Sequence, residues 1–371
     1  MLFRSDTFIL DDFFFTNCKC PACIEAKGNR SWPEYRLALM TDAARDLVLE
    51  PARAVNPDVK VIIKYPNWYE HFHGLGFNLE LQPQRFDSIY TGTETRDPVR
   101  SNQHLQPYHG YSIVGSFENI KPGHNDGGWV DTGGMRYVDR YAEQLWLTLF
   151  AKAPEVMLFD WRQVRRPLLD DHRAPWQASP RQFGIGVDFD AMVAPTEEQD
   201  GSWGKDAVVA LAAAHAFEKV DEVMGELGEP VGIPSYRPYH AEGEDFLHSY
   251  LGMLGLPIEL QPDFPSEPQT ILLTEAAKRD PEAAEKIKQH LLNGHNVVVT
   301  SGLYRALQGR ESGQGTRIED MVQFEVTDRK ARVSEYLLGS RERGRIQGDT
   351  DILVPHIRYF TNDAWEIVSG L

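Results

Sequence analysis

From residue 7 to about residue 166 the chain alternates short β-rich apolar runs with longer stretches at helical spacing, and this alternation restricts the fold more than any other feature. Strands separated by helices pair in parallel, because each helix carries the chain back across the sheet; an α/β fold is expected. The runs are Thr7 to Phe15, "VKVIIKY" at Val59 to Tyr65, "FDSIY" at Phe86 to Tyr90, "YSIVGSF" at Tyr111 to Phe117 and "EVMLFDW" at Glu155 to Trp161. A helix is predicted from Ser31 or Trp32, with Pro33 in its first turn and Leu37, Met40, Ala44, Leu47 and Val48 at helical spacing, and Pro51 should end or kink it. A second, amphipathic helix is predicted over Gly134 to Ala151.

Each run delivers polar residues at its C-terminal end: Asp11 and Asp12, then Asn67, then Thr93 and Glu94, then Glu118, then Asp160, Arg162 and Gln163. In a (β/α) barrel that rim is where active sites are assembled, since the loops after the strands converge there. A closed barrel of this type needs eight strands, and five alone would leave long unpaired edges. The expectation is therefore a chain that starts inside a barrel, near its fourth strand.

Residues 167 to 202 form a Pro- and charge-rich connection, and a strong helix follows from about Lys205 to Leu227. Next comes a second α/β unit: "EPVGIPSY", "QTILLTEAA" and "HNVVVTSGL" as strands, with "AEGEDFLHSYLGMLGL" and "PEAAEKIKQHLLNG" as helices, the latter closed by Gly294. The expected division is 1–182 for the C-terminal part of a barrel, 183–227 for a linker and helix, 228–310 for a small doubly wound domain and 311–371 for a β-rich continuation.

The apolar and charged fractions, 42% and 25%, are those of a soluble globular chain, and the formal charge of −17 repels nucleic acid and anionic membranes alike. No apolar run is long enough to span a bilayer, and Met-Leu-Phe-Arg-Ser lacks the order of a signal peptide. The compartment stays open, the cytoplasm being favoured. All three cysteines, Cys18, Cys20 and Cys23, fall in one C-x-C-x-x-C cluster, close spacing for thiolates converging on zinc. Three thiolates leave a tetrahedral structural site one ligand short.

These motifs and their order resemble the family 42 glycoside hydrolases, a β-galactosidase family whose barrels carry two catalytic carboxylates after strands four and seven. Asp11, Asp12 and Phe13 before the cysteines stand where that family has Asn-Glu-Tyr; "SFENIKPGHNDGGW" resembles its strand-seven segment through Glu118, Pro122, Gly123 and Trp129; "FDWRQ" at Phe159 to Gln163 resembles the end of its strand eight. The resemblance implies a partial (β/α)8 TIM barrel, about strands 4 to 8, followed by an amidotransferase-like α/β domain used in trimer assembly. It also implies a fourth zinc cysteine upstream of strand four. No cysteine stands in residues 228 to 310, so the second domain has no thiol nucleophile and its expected role is structural.

On that resemblance Glu118 is expected as nucleophile and Asp12 as general acid/base, with Asp11 in reserve and Glu94 as the rival carboxylate. Retention needs the pair about 5 to 5.5 Å apart and inversion about 6.5 to 9.5 Å. Asn67, Trp68, Arg96, Trp129, Trp161 and Arg162 are the expected carbohydrate-binding residues, the tryptophans by stacking on a sugar ring. Two other classes compete: a metal-dependent hydrolase built on Asp11, Asp12, His71, His73 and Asp171 or His172, and a non-catalytic carbohydrate-binding or scaffold protein.

Overall fold

The computed structural model describes residues 5–11, 14–67, 73–94, 106–131, 137–165, 208–244, 246–338 and 344–359. They form two compact units, Met1–Ile233 with Asp245–Pro262, and Pro234–Glu244 with Asp263–Leu371. In the first unit, β1 (Thr7–Leu10), β2 (Lys60–Tyr65), β3 (Ser88–Gly92), β4 (Asn125–Asp131) and β5 (Glu155–Phe159) pair in sequence order, every neighbouring pair parallel. The sheet curls into a half-barrel. β1 is shorter than expected, ending at Leu10 rather than Phe15.

Parity along each strand separates the two faces of the sheet. The outer face carries Ile63, Tyr65 and Ile89, all fully buried, beneath α5 (Tyr108–Ile120). Phe117 of α5 stacks on Tyr65 with centroids 5.3 Å apart. This helix is where the sequence reading fails, for "YSIVGSF" was expected as a strand. Ile113, Val114, Phe117 and Ile120 lie on one stripe of the helix and are all buried. The true fourth strand is "NDGGWVD", glycine-rich and poor in β-branched residues, and its propensity is overridden by packing.

α6 (Val138–Phe150) is held against the helix Val208–Met224 by small residues on the latter, with Tyr141, Ala142 and Leu145 meeting Val209, Ala212, Ala213 and Ala216 over the outer side of Val130. Trp146 Nε1 adds a hydrogen bond to the Ala216 carbonyl at 3.2 Å. Full burial of a side chain such as Leu145 contributes about 2 kcal/mol.

The helix after the cysteines starts as expected. Ser31 caps α2 (Trp32–Ala43) in a reciprocal box with Glu34, and Pro33 sits in the first turn. Pro51 does not end it: the chain widens into a π-helical stretch, Ala44–Leu49, and then continues as an α-helix, Glu50–Val55. The wider turn accommodates a residue that has no amide hydrogen to donate.

Part of the segment read as belonging to the second domain packs on the first unit. The Asn119 side chain, on α5, donates to the Leu260 carbonyl at 2.9 Å. The second unit carries parallel strands Ile233–Tyr236, Thr270–Leu273 and Asn296–Val299, with an apolar core that includes Ile271, Leu273, Ile287, Leu303 and Leu307. The helix Ala283–Leu292 precedes Gly294, which takes a positive φ of 80°. Phe324–Leu338 and Gly344–Tyr359 pair as an antiparallel ribbon. Among the described residues, no helix is long and apolar enough to cross a membrane.

Candidate active site

The inner face of the half-barrel is layered. At its N-terminal edge Lys60 pairs with Asp126 at 2.5 Å, and Ser88 donates to the same carboxylate. Above this lies an apolar layer of Ile9, Ile62, Tyr90, Trp129 and Met157. Gly127 makes room for it, because a Cβ there would stand 2.7 Å from the Tyr90 hydroxyl.

The C-terminal edge is charged. Lys64 shares the parity of Ile62, so a residue that looks out of place in a buried strand points to the inner face. Its side chain is 2% exposed, and the ammonium lies 3.2 Å from Glu94 Oε1, 3.4 Å from Asp11 Oδ1 and 4.5 Å above the Trp129 ring. The parallel register Leu10↔Ile63 brings Asp11 level with Lys64. An ammonium withdrawn from water needs such carboxylates and the negative face of an indole to offset its lost hydration.

Glu94 is also 2% exposed and is held from several sides. Gly92 leaves the space its carboxylate occupies, since a Cβ there would stand 2.8 Å from Glu94 Oε2 and 3.1 Å from the Asn67 amide nitrogen. The Asn67 side chain donates to the Glu94 carbonyl, and the Asn67 carbonyl accepts from the His109 ring, whose other nitrogen meets Ser249 Oγ at 3.0 Å. Asn67, expected as a sugar-binding residue, is thus a brace for Glu94.

Asp131 completes the edge. The register between β3 and β4 shifts by one residue between Ile89↔Asn125 and Tyr90↔Gly127, after which Gly128 and Val130 face outward and Trp129 inward; Asp131 shares the parity of Trp129, and its charge also reaches Tyr141 of α6. Asp131 is 6% exposed and pairs with Phe159 of β5, while the Thr93 amide donates to the Trp129 carbonyl at 3.1 Å, so the backbones bearing Glu94 and Asp131 run side by side. Asp11 and Glu94 therefore hold Lys64 at this edge, and Asp131 ends the neighbouring strand β4. Sequence reasoning missed Lys64 and Asp131. The signal was there in the even spacing of Lys60, Ile62 and Lys64, and in a carboxylate two residues after Trp129.

Glu118 does not reach this edge. It lies in the last turn of α5, accepting from the Gly123 amide at 2.6 Å, just before β4 begins and thus at the opposite end of the sheet. The helix in place of a strand is the physical reason. Trp129 is an inner-wall residue of β4, tilted against Phe159 at 5.1 Å. Arg162 is 89% exposed and bonds Asp160 at 3.3 Å. Asp12, Phe13, Trp68, His71, Arg96, Asp171, His172 and the Trp161 side chain lie outside the described residues. A mostly apolar cavity of about 460 Å³ is lined by Tyr108, Tyr111, Phe150 and Pro257 among others, and none of Asp11, Glu94 and Asp131 lines it.

Cys18, Cys20 and Cys23 meet at the start of α1 (Pro21–Lys27), their sulfurs all within 4.8 Å of one another. The Cys23 backbone amide, and then the Cys18 side chain, hold the Cys20 thiol below its ordinary pKa, which favours the metal-binding thiolate. Three sulfurs about 2.3 Å from a tetrahedral zinc stand about 3.8 Å apart, so the cluster fits such an ion.

The chain belongs to the family described as "probable glycosyl hydrolase, catalytic domain", which residues 3–226 match. Residues 228–365 match a second family, the second domain of the uncharacterized protein SSO3021. SSO3021 of Saccharolobus solfataricus is 31% identical over 145 residues, which are 38% of this chain and 24% of that protein. Among solved structures, the GH42 β-galactosidase Gan42B aligns with a TM-score of 0.52 at 11% identity over 89% of this chain and 50% of that one. The cold-adapted β-galactosidase from Rahnella sp. R3 aligns with a TM-score of 0.50 at 12% identity, again over 89% and 50%. The fold is GH42-like, and the chain spans about half the length of these structures and about a quarter of the curated relative.

Proposed function

We propose that the protein hydrolyses a β-linked sugar with two carboxylates, Asp131 as nucleophile and Asp12 as general acid/base. The observation that carries this reading is that Asp11 and Glu94 meet on Lys64 at the same C-terminal strand edge where Asp131 ends β4. Taking β1 to β5 as strands four to eight of a (β/α)8 barrel makes β4 strand seven, and its terminal carboxylate is Asp131. Asp11 is engaged by Lys64, which leaves the proton-transfer role to its neighbour Asp12. Glu94, fixed by Lys64 and the Asn67 brace, serves as an acceptor for sugar hydroxyls. Trp129, beneath the ammonium, forms the floor.

In the proposed reaction an Asp131 oxygen bonds to the anomeric carbon as the glycosidic bond breaks, and Asp12 protonates the departing oxygen. Water, deprotonated by Asp12, then displaces Asp131, so the product keeps its configuration. β-Galactosides are the first substrates to try, given the names of the structural neighbours. A panel of aryl β-glycosides tests the reading: one is expected to release its phenol, with the first-formed sugar β by proton NMR. Release of the α-anomer first would reject the nucleophile, and turnover of none would reject the activity.

The cysteine triad would hold zinc structurally, as part of the loop between β1 and α2. The second unit would be a non-catalytic amidotransferase-like domain supporting a homo-oligomer, a trimer by resemblance. Cys20→Ser is expected to reduce bound zinc by elemental analysis and to lower the melting temperature while kcat stays within about twofold. A strong chelator should act the same way. Loss of turnover on chelation with unchanged melting would instead place a metal in the chemistry.

A further inference from the structure

The second unit contains a cavity of about 300 Å³ between the helix Ala283–Leu292 and the segment around Phe264, lined among others by Phe264, Glu282, Gln289, His290, Asn293 and Gln314. His290 is 2% exposed, wedged between Phe264 at 6.0 Å and His295 at 4.7 Å. One ring nitrogen faces the Ser266 carbonyl, which leaves the other without a protein partner. Nδ1 of His295 and Oε2 of Glu282 likewise make no hydrogen bond. A buried polar atom left without a partner costs roughly 1 to 3 kcal/mol, so several beside one cavity call for a ligand that would satisfy them.

The chemistry of that ligand follows from the lining. Burial, and then the neighbouring His295, hold His290 below its ordinary pKa and favour the uncharged ring, which turns its N–H to the Ser266 carbonyl and leaves its other nitrogen to accept. Glu282 and Glu285 make the wall unfavourable to an anion, and the Lys286 ammonium is already held by Asp280 at 2.5 Å. Among the described residues, Cys18, Cys20 and Cys23 form the one group of three metal-type ligands, so His290 and His295 lack a third partner for a cation. What remains is an aromatic wall, an imidazole acceptor, a carboxylate oxygen and the amides of Asn293 and Gln314, with the Gln289 amide nitrogen already donating to Glu285, a set that can both give and take hydrogen bonds. Vicinal hydroxyl groups do the same, each donating once and accepting at least once.

We propose that this cavity is a second carbohydrate site, separate from the carboxylate edge, that binds one neutral sugar ring through His290, Glu282 and the Asn293 amide with Phe264 against its apolar face. Its volume is at the lower end of the range of about 300 to 1,000 Å³ for ligand pockets, which suits a single ring.

The test is a titration of the full chain with galactose, glucose, mannose and lactose, followed by the imidazole ¹⁵N resonances of His290 and His295. Saturable shifts with a Kd in the millimolar range are expected for at least one sugar. His290→Phe, which keeps an aromatic of similar bulk, should weaken binding by about tenfold or more, and the exposed Asn293→Ala by about fivefold, near the loss of one hydrogen bond. Asp131→Asn should leave the shifts unchanged, which separates this site from the proposed catalytic edge. Unmoved imidazole signals at saturating sugar would overturn the proposal, as would affinity unaltered in both cavity variants or shifts caused by zinc or phosphate but by no sugar.

Discussion

Asp131→Asn is expected to lower kcat on the best aryl glycoside by at least about 10³-fold, while Glu118→Gln leaves it at the wild-type level. The amide is nearly isosteric with the carboxylate but is a far poorer nucleophile, so the loss is chemical rather than structural. The expected magnitude reflects removal of the group that forms the covalent bond, an effect larger than the 10²- to 10⁴-fold span of a single proton-transfer residue at its lower end. Asp131→Gly with added azide gives a sharper result: the small anion takes the vacated position and a glycosyl azide of inverted configuration accumulates. Retention of more than a tenth of wild-type turnover by Asp131→Asn would remove this residue from the mechanism. A comparable loss in Glu118→Gln would return the nucleophile to α5.

Lys64→Met is expected to destabilise the first unit by about 3 kcal/mol in chemical denaturation and to abolish turnover at the same time. The reasoning is one of unpaired charge. Glu94, as deeply buried as Lys64, would lose an ammonium 3.2 Å away, and Asp11 would lose one at 3.4 Å. Breaking a buried pair costs more than the pair contributed, because the remaining ion stays out of water. Adding Glu94→Gln to Lys64→Met should therefore recover part of the stability, since two neutral groups replace one stranded charge, but it should not recover activity. Lys64→Arg is no conservative control, for a planar guanidinium does not fit the position of a compact ammonium over Trp129. Equal stability of the single and double variants would show that Glu94 finds adequate compensation elsewhere.

The parts of the fold that were legible in the sequence are those where local preference and packing agree. "VKVIIKY" became β2 almost as read, Ser31 with Pro33 announced α2, and Gly294 marked the end of its helix. The failure at "YSIVGSF" has a specific cause. Four apolar residues in thirteen suit a strand by composition, and only their order, Ile113, Val114, Phe117, Ile120, selects the helix. Its partner error is the strand "NDGGWVD", whose glycines are chosen by Tyr90 and Thr148, side chains distant in sequence that occupy the space of the missing Cβ atoms. Asp131 was overlooked because the strand that presents it was not recognised. Lys64 was overlooked because a lysine flanked by isoleucine and tyrosine gives no local hint that two carboxylates, fifty-three residues before it and thirty residues after it, will surround its charge. Glu94 and Asp11 were legible as strand-terminal acids; their shared ammonium was a property of the tertiary register alone.

The one-residue slip between β3 and β4 reaches beyond packing. A strand's odd and even positions look to opposite sides, so the extra residue at this point decides whether the acid at its tip meets substrate or the helix layer. A point substitution along "GGWVD" leaves that orientation intact even where, as at Gly127 and Gly128, it costs packing, whereas losing or gaining a single residue there would exchange the two sides at once. The chemistry proposed for this half-barrel is thus written partly in a count of residues.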